Sequence, residues 1–179
     1  EALLVAESVD AGAYTSPHLL RYNERVRIDG ADVEDAALVR DGLGVSVTGE
    51  GADKRTADEV VDVIKGRGGE AVANYDDVAD FNGAKSIIDT AVEAFGKLDV
   101  LVNNAGILRD KMLFTMGEDE FDSVIRVHLK GTWSTMHHAS AYWRTESKDG
   151  RQPSGSIVNT VSSAGLQGQA SQSNYGAAK

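Results

Sequence analysis

From Thr56 onward the apolar residues switch repeatedly between two periods, and that alternation constrains the fold more than any other feature of the chain. Ala57, Val60, Val61 and Ile64 recur at helical spacing and stop at Gly66-Arg67-Gly68-Gly69. The run Ala71-Val72-Ala73-Asn74-Tyr75 then reads as a short strand. A second helical pattern runs from about Asp80 to Phe95 with Ile87, Ile88, Ala91 and Val92 inward, and the apolar strand Leu98 to Val102 follows it. Phe121, Ile125, Leu129, Thr132 and Met136 mark a longer helix from Glu118 to about Glu146, and Ser156 to Val161 is the next strand. Strands separated by helices are joined by crossovers, which make neighbouring strands parallel and put helices over the sheet faces. The expectation is an α/β fold, a Rossmann-like three-layer sandwich on a parallel sheet.

Such a sheet leaves a crevice for ligands at the carboxyl ends of its strands. Asp77-Val78 follows the first strand, Asn103-Asn104-Ala105-Gly106 the next, and Ser162 the third. Each set taken alone is also what an ordinary turn uses. The closing residues Tyr175-Gly176-Ala177-Ala178-Lys179 add a phenol and an ammonium one helical turn apart on one face. An ammonium held near a phenol favours the phenolate, and a tyrosine so placed can exchange a proton with a substrate hydroxyl. The same spacing serves a plain helix-surface contact equally well.

Asn103-Asn104-Ala105-Gly106, Ser162 and Tyr175-x3-Lys179, in this order and spacing, resemble the short-chain dehydrogenase/reductase family over about residues 43 to 179. The wording at 71–76, 103–110 and Arg126-Val127-His128-Leu129-Lys130-Gly131 is most similar to the (3R)-hydroxyacyl-CoA dehydrogenase units of multifunctional β-oxidation enzymes. The resemblance implies an NAD(P)-dependent oxidoreductase that interconverts hydroxyl and carbonyl groups by hydride transfer on a small-molecule substrate. Tyr175 would be the proton donor or acceptor, Lys179 would favour its phenolate and hold the nicotinamide ribose, and Ser162 would hydrogen-bond the substrate oxygen. Asp77 and Val78 would meet the adenine, while Asn103, Asn104, Ala105 and Gly106 would line the cofactor cleft. His128 stands where many members carry a catalytic asparagine; it reads equally as a packed helix histidine.

The family begins with a strand, a Gly-x3-Gly-x-Gly turn and a helix, and its later strands follow the tyrosine helix. Here Gly44-x4-Gly49-x-Gly51 has the wrong spacing to cradle a pyrophosphate and reads as a loop. The resemblance therefore implies a truncated domain, without the first strand-helix unit and the C-terminal strands, and an isolated chain that does not turn over. The missing first strand would leave two open sheet edges, and the run Ala2-Leu3-Leu4-Val5-Ala6, a short strand or a helix turn, is a candidate to fill the gap.

Residues 1–42 look foreign to this pattern. Ser16-Pro17 suggests a turn, Arg25-Val26-Arg27-Ile28 an alternating strand that stops at Asp29-Gly30, and Asp32 an N-cap for a helix from Val33 to about Arg40. Residues 11–40, with Tyr14-Thr15-Ser16-Pro17-His18 and Asn23-Glu24-Arg25, resemble an early segment of folylpolyglutamate synthases. That resemblance implies an ATP-dependent ligase fragment with Ser16 and His18 near a ligand site, yet the Gly-x-x-Gly-Lys-Ser phosphate loop such an enzyme needs ahead of this segment does not occur.

Composition narrows the remaining classes. A net charge of −10 without a Lys/Arg cluster argues against nucleic acid as partner. Zero cysteines exclude disulfides, thiolate zinc sites and a cysteine nucleophile, which fits a reducing, cytoplasmic setting. No apolar run approaches membrane-spanning length. His137-His138 lack a nearby third ligand, so no metal is expected. A homo-oligomer through the long helix 118–146 is expected. The competing class is a non-catalytic domain that keeps the sheet and uses its surface for association.

Overall fold

The computed structural model describes residues 54–179 and, as short strands, residues 2–3, 13–14, 26–28 and 31–32. The chain divides into two compact units, Glu7–Arg40 and the combination of Glu1–Ala6 with Asp41–Lys179. The smaller unit contains an antiparallel meander of β2 (Ala13–Tyr14), β3 (Val26–Ile28) and β4 (Ala31–Asp32). β3 ends at Ile28, which pairs with Ala31 of β4. The Ser16-Pro17 turn, His18, the 33–40 helix and the Gly44 loop lie outside the described residues.

In the larger unit, α1 (Lys54–Gly66) and α2 (Phe81–Phe95) precede strand β5 (Val100–Asn103). Helix α2 begins where Asp80 Oδ1 accepts from the Gly83 amide at 2.7 Å. It ends at Gly96, whose φ of 76° lets its N–H reach Val92 O at 2.8 Å. Ala84, Ile87, Ile88 and Ala91 fall on one face of α2 and are buried, as their spacing requires. Ile88, Ala91, Leu98, Leu101 and Ala139 form the core, with Met136, Tyr142 and Trp143 packed against it. Trp143 also ties the layers together, since Nε1–H donates to Leu98 O at 2.6 Å and the ring lies flush on Gly155.

β5 pairs in parallel with β6 (Ser156–Asn159) in the register Val100↔Ser156 to Asn103↔Asn159, the crossover geometry expected of this chain. On its other side β5 pairs with β1 (Ala2–Leu3), antiparallel, with Ala2 opposite Asn103. Ala2 and Leu3 of the N-terminal run thus form a strand on the β5 edge that the sequence pattern left open.

Two expected elements come out differently. Residues 71–75 are not a strand and join no ladder among the described residues. Side-chain bonds onto α2 hold them instead, with Asn74 Nδ2 donating to Thr90 Oγ1 at 2.9 Å and to Ser86 Oγ at 3.3 Å. The long helix is also broken into α3 (Glu118–Ile125), a π-helical turn (Arg126–Gly131) and α4 (Thr132–Lys148). The π turn carries the buried pair His128 and Gly131, and single π turns of this kind concentrate at functional sites. Two short helices, α5 (Ser163–Gln167) and α6 (Ser173–Ala178), close the chain.

Candidate active site

The carboxyl ends of β5 and β6 bring their loops side by side. Asn103 closes β5 with its side chain buried: Nδ2 donates to Asn159 Oδ1 at 2.9 Å, and Oδ1 accepts from Thr135 Oγ1 at 2.6 Å. Thr160 continues β6, donating its amide to Asn103 O at 3.0 Å and its hydroxyl to Asn104 Oδ1 at 2.8 Å. Asn103 is thus a strut between strands and α4, while Asn104 faces the site.

A cavity of about 200 Å³ opens beside this junction, lined by Asn104, Gly106, Ile107, Leu108, His128, Thr160, Tyr175 and Lys179. Helix α6 delivers the last two. Lys179 Nζ donates to Thr160 O at 2.8 Å and lies 5.9 Å from the centroid of the Tyr175 ring. Burial pushes the Lys179 ammonium below its usual pKa. The two residues paired by sequence spacing therefore share one cavity, and the lysine is anchored to a strand end.

His128 forms the back wall. Its ring meets the Tyr175 ring edge-on, with centroids 5.0 Å apart. Nε2 lies 2.9 Å from Ile107 O and 3.0 Å from Ile107 N, so the ring donates to the carbonyl in one tautomer and accepts the amide proton in the other. Nδ1 is buried without a partner among the described residues. Burial lowers the His128 pKa, the bond to Ile107 opposes that, and the Lys179 charge reinforces it, so the neutral ring is the resident form at pH 7. A Cβ on Gly106 would lie 2.4 Å from His128 Cε1, which restricts that position to glycine while the imidazole stays in place.

Ser162 lies outside this lining. It caps α5, its Oγ accepting from the Ala164 amide at 3.2 Å, which leaves its own O–H to donate elsewhere. Asp77 and Val78 also lie outside this lining. Asp77 holds its own turn through Ala79 N–H at 2.9 Å and faces Arg126 at 3.1 Å, and Val78 is buried against Gly131. Ala105 is half-buried in the loop between Asn103 and Gly106. The structure therefore gathers Asn104, Gly106, His128, Tyr175 and Lys179 around one cavity, seats Asn103 beneath it, and sets Ser162, Asp77 and Val78 apart. Sequence reasoning missed Thr160, whose hydroxyl and carbonyl hold Asn104 and Lys179; its position at the end of an apolar strand was the available signal.

Comparison with known proteins supplies the family. The family model described as short chain dehydrogenase matches residues 35–179. The chain belongs to the short-chain dehydrogenase family. Among relatives of this family, a peroxisomal hydratase-dehydrogenase-epimerase of Neurospora crassa is 46% identical over 144 residues, 80% of this chain and 15% of that protein. A hydroxyacyl-CoA dehydrogenase of Mycobacterium tuberculosis is 43% identical over 152 residues, 82% of this chain and 47% of that protein. A crystal structure of a short chain dehydrogenase from Mycobacterium avium superposes with a TM-score of 0.69 at 54% identity, covering 76% of this chain and 48% of that one. The chain therefore spans about half the length of its single-function relatives and a smaller share of the multifunctional one. No helix among the described residues is long and apolar enough to cross a membrane.

Proposed function

We propose that residues 43–179 are part of an NAD(P)-dependent oxidoreductase that interconverts a hydroxyl and a carbonyl group on a 3-hydroxyacyl thioester. The observation that carries this reading is the cavity shared by Tyr175 and Lys179, with Lys179 pinned to Thr160 at the strand ends. The names of the multifunctional and hydroxyacyl-CoA relatives support the thioester substrate.

The residues present fit the nicotinamide end of the cofactor. Lys179 spends one N–H on Thr160 O and keeps two for ribose hydroxyls. The Gly106 backbone, pressed on His128, keeps the floor of the cavity free of side chains. When bound, the nicotinamide supplies the hydride acceptor or donor. Tyr175 holds or releases the hydroxyl proton, with Lys179 beside it in the same cavity. Ser162, with its O–H uncommitted after capping α5, donates to the substrate oxygen. Asn104, Gly106 and Ala105 wall the cleft, and Asp77 with Val78 meets the adenine end. His128 holds the Tyr175 ring and the Ile107 peptide in register while neutral.

A homo-oligomer through helix 118–148 belongs to the same reading, since Leu129 and Trp133 stand one turn apart and are each about half exposed. Sedimentation velocity giving only a monomer boundary would exclude it. A cytoplasmic setting is likewise part of the reading, on the absence of cysteine.

The test grafts residues 43–179 into a short-chain dehydrogenase in place of its matching segment, so that the host supplies a first strand-helix unit with a Gly-x3-Gly-x-Gly turn and the C-terminal strands. Oxidation of 3-hydroxyacyl-CoA, followed as reduced nicotinamide absorbance, is expected in the hybrid and not in the 179-residue chain. Tyr175→Phe should lower the hybrid's kcat by at least about 100-fold, the contribution of a positioned proton-transfer group. A folded hybrid that binds cofactor without turnover, or turnover indifferent to Tyr175, overturns the reading.

A further inference from the structure

Next to the tyrosine stands Asn174, whose side chain is fully buried and makes three hydrogen bonds to three different parts of the chain. Nδ2 donates to Arg109 O at 3.0 Å, in the loop that follows the cavity-lining residues Gly106, Ile107 and Leu108. The same nitrogen donates to Glu120 O at 3.1 Å, in the first turn of α3. Oδ1 accepts the amide proton of Tyr175 itself at 2.8 Å, satisfying one of the donors that a helix start leaves without an intrahelical acceptor. Two carbonyl oxygens and one N–H fix which end of the amide is nitrogen, so the orientation follows from the partners.

The surroundings close the same joint. Lys111 N–H donates to Ser171 O at 2.9 Å, and Gln172 Nε2 donates to Asp110 Oδ2 at 2.7 Å. Lys111 pairs with Glu120, whose other oxygen accepts from Gly117 N–H at 2.9 Å. These outer contacts are exposed and individually weak, whereas the Asn174 amide is dry and fully used. Ser171, with φ of 64°, turns the chain into α6 directly before this joint.

From this geometry we infer that Asn174 is a positioning residue for Tyr175, fixing the distance between the tyrosine and the 106–109 loop across the cavity. The inference rests on the reading of Tyr175 as the proton-transfer group. Asn174 touches neither the proposed substrate nor the reacting atoms; it acts by holding the helix start against the loop. A carboxylate in its place keeps the shape but presents oxygens to two carbonyl oxygens, and it regains a donor only on protonation.

The test labels tyrosine at Cζ with ¹³C in the 179-residue chain and assigns the Tyr175 signal with Tyr175→Phe. Asn174→Asp should displace the Tyr175 signal at neutral pH and let it return toward the wild-type position as the buried carboxyl protonates, with a midpoint above the ordinary value of about 4. Asn174→Ala should displace it at every pH without return, and it carries the test if the Asp variant fails to fold at neutral pH. In the hybrid enzyme described above, Asn174→Ala should lower kcat about 10–100-fold with little change in KM, as expected when a reacting group is misplaced by about an ångström. A Tyr175 signal unmoved by either substitution, or an Asp displacement that ignores pH, overturns the inference. The spectra need no turnover, so an inactive hybrid would count against the proposed function alone, and the tyrosine signal would still decide the role of Asn174.

Discussion

His128 is the residue whose protonation the site tolerates least. Its ring is buried between Ile107 and Tyr175, and its pKa is lowered first by that burial. The unfolded chain, where a histidine titrates near ~6.5, therefore takes up the proton before the folded one does. Stability held by the neutral ring is complete above that value and is lost as pH falls through the lower, folded pKa. His128→Gln removes the titration and still offers Ile107 a donor and an acceptor. Its melting temperature should fall less than that of the wild type between about pH 7 and pH 5, read by calorimetry. His138, also lowered by burial, leaves a residual slope in both proteins. Equal slopes would show that His128 does not carry the acid sensitivity.

At the scale of elements, the buried chain from Thr135 through Asn103 to Asn159 joins α4, β5 and β6 beneath the cavity. Thr135→Val keeps the volume but removes the donor to a buried Asn103 oxygen, and the loss should cost about 1–3 kcal/mol in denaturant unfolding. A cost near zero would mean that the strut is not structural. The same elements show what sequence reading reaches. Helices α1 and α2 and the parallel direction of β5 and β6 followed from period and connection, because an amphipathic face and a glycine stop are local properties. The strand ends did not: β5 at Val100–Asn103 is shifted from the expected Leu98 to Val102, and β6 stops at Asn159 short of the expected Val161. That 71–75 form no strand among the described residues did not follow either, because a ladder is made by residues distant in sequence. The π turn at 126–131 was equally hidden, since Phe121, Ile125 and Leu129 keep helical spacing through it. In the site, Tyr175 and Lys179 announced themselves by being one turn apart. Thr160 and Asn174 act through a backbone carbonyl and a buried amide, and no spacing rule marks either.

For the molecule as a whole, the decisive point is that one cavity combines a lysine anchored to a strand end with a tyrosine on the same helix, in a chain of the short-chain dehydrogenase family. On the proposed reading binding and turnover are separable: Lys179 would meet the nicotinamide end of the cofactor, while a Gly-x3-Gly-x-Gly turn to grip the pyrophosphate does not occur in this sequence. A fluorescence titration of NADH with the purified 179-residue chain and with Lys179→Ala tests this most directly. The expected result is a saturable change in NADH emission with the wild type and affinity at least about tenfold weaker in the variant, the loss of about 1.4 kcal/mol expected for one charge-assisted contact. No change in emission with the folded wild type, or identical curves for the two proteins, would contradict it.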